Sequence, residues 1–160
     1  MITTPAEARL QVEALGLPKL FIDVWDDRIP DVFVIWQRPT TFFQDRDRLV
    51  ELYPRIVNCV PLWEDGDCVF TYDMATSQYT RFHYFEPDWE PTIVADSYQR
   101  LAAWYLVQCL YAGESDEDFD AIAALLEFKY IDRVKAFSEI EAGDDFLAEE
   151  RAFIQSIPRE

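Results

Sequence analysis

The chain has 160 residues, half of them hydrophobic and 16% aromatic, which suits one domain with a real hydrophobic core and excludes a disordered chain. Its 14 Lys and Arg residues stand against 31 Asp and Glu residues, a formal net charge of -17. Such a chain repels nucleic-acid phosphates and anionic membrane surfaces and attracts basic ones, so direct binding to DNA, RNA or a membrane is not expected.

Taken in order, the first element is a helix over Pro5 to Leu15. Thr4 is placed to cap it, Pro5 suits the first helical position, and Glu7 stands third after Thr4. Leu10, Ala14 and Leu17 then share one face, and Gly16 and Pro18 end the segment. Leu20 to Trp25 and Asp31 to Trp36 are short apolar runs. Each reads equally as a strand or as a buried helix segment, because periodicity does not arbitrate at this length. Arg46 to Leu52 is expected to be a short helix that stops before Pro54.

The clearest β region runs from Ile56 to Val94. A first strand begins at Ile56 and ends at Trp63, with Pro61 marking an edge or an end. Glu64-Asp65-Gly66-Asp67 is a hairpin turn, Cys68 to Tyr72 a second strand, Asp73 to Ser77 a polar turn, and Gln78 to Phe85 a third strand. Thr92 to Val94 supplies a short fourth strand, and the whole reads as an antiparallel meander. The expected fold is therefore α+β: a meander sheet of about four to six strands packed against helices.

Asp96-Ser97 is suited to cap a helix over Tyr98 to Tyr111, whose apolar residues recur at three- and four-residue spacing until Gly113. Glu114 to Asp120 holds five acids at the start of the next helix, where the macrodipole favours negative charge. Ile122, Ala123, Leu126, Tyr130, Val134 and Phe137 follow as one stripe, ended by Gly143. Asp144 or Asp145 is placed to cap a last helix with Phe146, Phe153 and Ile157 inward. With no repeat and no linker, residues 1–160 are expected to form one domain, with 114–160 as an acidic helical C-terminal extension. That extension carries 14 acids against 5 bases, a net of -9 out of -17.

Catalytic and metal signatures are weak. The three cysteines, Cys59, Cys68 and Cys109, form no C-x-x-C pair and no disulfide framework. The one histidine, His83, lies between Phe82 and Tyr84 and reads as structural. Cys68 on the neighbouring strand is able to face it, but no orienting third group or oxyanion hole is apparent. Asp65, Asp67 and Asp73 do not follow the EF-hand pattern, no H-E-x-x-H helix occurs, and four glycines make no phosphate loop. No cofactor or metal is expected. Residues 1–17 lack the basic start and apolar core of a signal peptide, and no apolar run approaches a membrane span, so a cytoplasmic location is expected.

The stretch from Ile56 to Tyr111 resembles the core of the SUKH superfamily, named for a yeast cell-wall regulator and its relatives. The resemblance lies in V-P-L-W-E-D-G-D-C-V-F-T-Y-D, from Val60 to Asp73, and in the helix start A-D-S-Y-Q-R-L, from Ala95 to Leu101. Both a glycine-bearing turn after the first helices and a counterpart for the tail beyond Gly113 are missing from the match, since 26–31 contains no glycine. The resemblance implies an immunity protein of a polymorphic toxin system: no enzyme, no cofactor, and a cognate toxin with a basic surface, such as a nuclease, as partner. The residues expected to make the contact are Trp63, Glu64, Asp65 and Asp67 at the turn, Trp89, and Asp116, Glu117, Asp118 and Asp120 in the acidic run. Two other readings stand beside it: an adaptor domain for an endogenous protein, and a small hydrolase using buried carboxylates.

Overall fold

In a computed structural model, which describes residues 4–85, 91–138 and 145–160, helix α1 (Pro5–Ala14) starts where its capping residues predict. The Glu7 amide donates to the Thr4 hydroxyl at 3.2 Å, and the Thr4 amide donates to the Glu7 carboxylate at 3.0 Å. Two of the backbone donors that a helix start leaves open are thus satisfied. The inward face is not the expected one. Ala8 and Val12 are buried while Leu10 is 61% exposed, because the smaller side chains let α1 lie against its neighbours α2 and β2.

The ambiguous run at 20–25 is helix α2 (Lys19–Trp25). Leu20, Phe21, Val24 and Trp25 are all buried, and only helical spacing brings those four to one face. The second ambiguous run is neither helix nor strand over most of its length. Turns closed by Phe33 N–H to Pro30 O and Trp36 N–H to Phe33 O occupy it, and only its end forms β1 (Trp36–Gln37).

Helices α3 (Thr41–Gln44) and α4 (Arg46–Leu52) follow, then a 3-10 helix (Pro54–Asn58). The strand expected from Ile56 therefore begins later. Pro54 opens the 3-10 turn with its fixed φ, and Ile56 is buried from there. The sheet consists of β1, β2 (Cys59–Asp65), β3 (Cys68–Asp73), β4 (Gln78–His83) and β5 (Thr92–Ala95), hydrogen-bonded in that order as an open antiparallel meander. Pro61 is tolerated inside β2 for two reasons. The register shifts between Pro61 and Trp63, and β1 pairs only with Glu64 and Asp65 at the far end.

Side chains alternate across these strands, and both faces are covered. On one face Val69, Phe82, Cys59 and Tyr84 pack with Phe42, Leu49, Tyr53 and Ile56. On the other, Trp63 stacks between Trp36 and Phe70, with ring centroids 4.4 and 4.3 Å away, and Phe21 of α2 leans on it. This explains why β2 is buried without alternation.

The chain divides into two compact units, Met1–Val94 and Ala95–Glu160. In the second, α5 (Tyr98–Ala112) packs on α6 (Asp116–Leu125), α7 (Ile131–Ser138) and α8 (Phe146–Ser156). The Ser97 hydroxyl caps α5, and Gly113, with φ of 77°, ends it. The stripe from Ile122 to Phe137 is not one helix. Chain reversal occurs at Glu127, with φ of 50°, and the amides of Glu127 and Phe128 return to the carbonyls of Ala124 and Ala123. The buried Gln99 holds this break: its amide donates to Glu127 O, and its carbonyl accepts from the Lys129 amide at 3.0 Å. At the chain end Ile154 and Ile157 are buried and Phe153 stacks on Phe137. Gly143 and Asp144 lie outside the described residues.

Candidate functional site

Two places collect the polar chemistry: the end of the β2–β3 hairpin in the first unit and the start of α6 in the second. Each stands by itself.

The hairpin turn is the pair Gly66 and Asp67, between the paired residues Asp65 and Cys68. Gly66 takes φ of 54° with open space around it, the conformation that a two-residue hairpin requires and that favours glycine. Beyond the turn, the Tyr84 amide donates to Asp67 O at 2.8 Å, tying the end of β4 back to it. Register then lines up Trp36, Asp65, Cys68 and His83 across four strands. Cys68 Sγ lies 3.3 Å from His83 Nδ1, and both residues are partly exposed. Burial pushes the half-buried Asp65 carboxyl above the usual carboxylate range, against the opposing pull of Arg81.

Of the residues expected to touch a partner here, two are interior. Trp63 is 1% exposed and forms the centre of the aromatic stack. Glu64 is 2% exposed: it accepts from the Phe42 amide at 2.8 Å and from the Tyr84 hydroxyl at 2.6 Å. The Phe42 amide is one of the open donors at the start of α3, so Glu64 joins α3, β2 and the end of β4. Burial, and then the bond to Glu64, push the Tyr84 phenol far up. In this conformation neither Trp63 nor Glu64 is available at the surface. Asp67 is exposed and Asp65 half-buried, while Trp89 lies outside the described residues.

The start of α6 does reach solvent. Ser115 is the cap; its hydroxyl accepts from the Asp118 amide at 3.2 Å and donates to the Asp118 carboxylate at 2.7 Å. Asp116, Glu117 and Asp120 are exposed around it, and Phe119 alone turns inward. One of the acids is partly neutralised: Lys135 Nζ lies 2.6 Å from Asp120 Oδ1. Hydrogen bonding to Asp120 raises the Lys135 ammonium above its ordinary value.

A surface feature missed in the sequence is the pair Val34 and Ile35, 84% and 52% exposed just before β1. They lie in an apolar run in which Phe33 and Trp36 are buried, so composition alone could not separate the two pairs. An open depression of about 600 Å³ lies beside α1 and includes Arg9, Trp25, Asp26, Asp27 and Arg38. Its guanidinium groups are engaged within its own wall: Arg9 pairs with Asp26 at 2.7 Å, and Arg38 lies over the Trp25 ring at 5.9 Å. Among the described residues no group of three or more His, Cys, Asp or Glu side chains is placed to hold a metal ion. None of their helices is long and apolar enough to cross a membrane.

No protein-family model, curated protein or solved structure matches the chain.

Proposed function

We propose that the protein is an immunity-type binder that captures a basic protein toxin in the cytoplasm of the producing cell and blocks it by contact. The observation that carries this reading is the exposed acidic start of α6, with Asp116, Glu117 and Asp120 at the surface of a chain of net charge -17. Acids held by a cap and by the helix dipole form a standing negative patch that needs no rearrangement to meet a basic groove. Support also comes from the resemblance of residues 60–73 and 95–101 to SUKH immunity proteins. Trp63 and Glu64 drop out of the contact surface, so on the hairpin Asp67 and the edge of Asp65 are the groups offered to a partner. Trp89 and Asp118 complete the set carried by this reading.

The test is capture of the product of the adjacent gene, followed by association rates at low and high salt. A variant carrying Asp116→Asn, Glu117→Gln and Asp120→Asn should associate about tenfold more slowly at low salt and converge on wild type at high salt. An unchanged low-salt rate would refute the electrostatic docking. No binding by the neighbouring product would refute the immunity assignment and favour an adaptor for an endogenous protein.

A further inference from the structure

We propose that Cys68, with His83 as its proton acceptor, is a reactive thiol that forms mixed disulfides with small disulfide compounds. Three observations converge on it. First, the two residues are directly opposed on adjacent strands, with Sγ and Nδ1 3.3 Å apart. That is hydrogen-bond distance for sulfur, and β3 is held between β2 and β4 along its whole length. Second, both side chains keep partial solvent access at the open end of the hairpin, beside the exposed Gly66 and Asp67. Third, the other two cysteines are closed to this chemistry. Cys59 and Cys109 are buried, and burial pushes their thiols up to about 11 and about 12. None of the three cysteines is in a disulfide.

The step balances without any further reagent. The Sγ proton passes to His83 Nδ1, and the thiolate attacks one sulfur of the incoming disulfide. A new S–S bond forms to Cys68 while the old one breaks. The second sulfur leaves as a thiolate and takes the proton back from the imidazolium. Among the described residues, Asp65 on β2 and Arg81 on β4 share the face of the pair, and Asp67 stands in the turn beside it. These two carboxylates against one guanidinium make a cationic disulfide the better substrate than an anionic one.

The experiment compares cystamine with oxidised glutathione on the intact protein, with peptide mapping of the adduct and rates between pH 6 and 9. The expected result is a single adduct on Cys68, formed faster by cystamine. At pH 6.5 its rate should exceed that of a small-molecule thiol by about tenfold, because an ordinary thiol of pKa near 8.5 is only about 1% ionised there. His83→Gln and His83→Asn should each abolish the excess while preserving the far-ultraviolet circular dichroism. An adduct on Cys59 or Cys109, or His83 variants that react as fast as wild type, would overturn the proposal. If both variants lose the native spectrum, the pH profile of the wild-type protein decides. A rate falling tenfold per pH unit below pH 8 refutes the pair, and a plateau toward pH 6.5 supports it.

Discussion

Residues 63–67 and 116–120 are both short acidic stretches containing one aromatic side chain, and the fold treats them differently. In α6 the helical period sends Phe119 inward and leaves Asp116, Glu117 and Asp120 in solvent. In β2 both Trp63 and Glu64 are interior, although strand side chains alternate. The reason is that both faces of β2 are covered, one by the Phe21 and Trp36 rings and the other by the cluster around Phe42 and Tyr84. An acid on such a strand is interior whichever way it points, and it survives there only with partners. Glu64 has two, the Phe42 amide and the Tyr84 hydroxyl.

The two stretches differ most under truncation. Trp63→Ala should cost about 3–5 kcal/mol of stability by urea denaturation, and Glu64→Ala about 3 kcal/mol, since it strands two buried donors. Glu117→Gln and Asp67→Asn should each stay within about 0.5 kcal/mol of wild type. If Glu64→Ala unfolds at the same urea concentration as wild type, the carboxylate is not the tie between α3 and the sheet.

A smaller effect separates the two regions by pH. In the first unit burial raises the Asp65 carboxyl above its ordinary value. Its charged form is therefore penalised in the fold, and stability falls as pH rises through the raised value. In the second, burial works against the Asp96 charge, but hydrogen bonds from Arg100 and Arg159 outweigh it and hold the carboxyl low. That contribution is present above the ordinary value of 3.8 and is lost as pH falls through the folded one. Thermal melts from pH 3 to 7 should show Asp96→Asn destabilised at pH 7, with the deficit shrinking below pH 4. Asp65→Asn should gain on wild type as pH rises. Parallel curves for both variants would contradict this linkage.

Much of the local structure was legible from short-range chemistry. The capping pair Thr4 and Glu7, the turn at Gly66, the helix over Arg46–Leu52 and the stop at Gly113 all stand where their residues place them. These are decisions made within four or five residues, so the chain encodes them locally. The break at Glu127 was not legible, because neither glycine nor proline marks it. It is held by Gln99, 28 residues away along the chain from its Glu127 partner. The candidate site divided in the same way. The acids of α6 were readable as charge at a helix start, whereas the Ser115 cap and the burial of Trp63 and Glu64 came only with the structure.

The sequence by itself determined the α+β composition, the antiparallel meander and the concentration of negative charge after Gly113, because these follow from periodicity, turn residues and residue counts. Only the tertiary structure decided which acids are surface and which are core. It also decided that Cys68 meets His83, because register across strands brings together residues that are 15 positions apart in the chain.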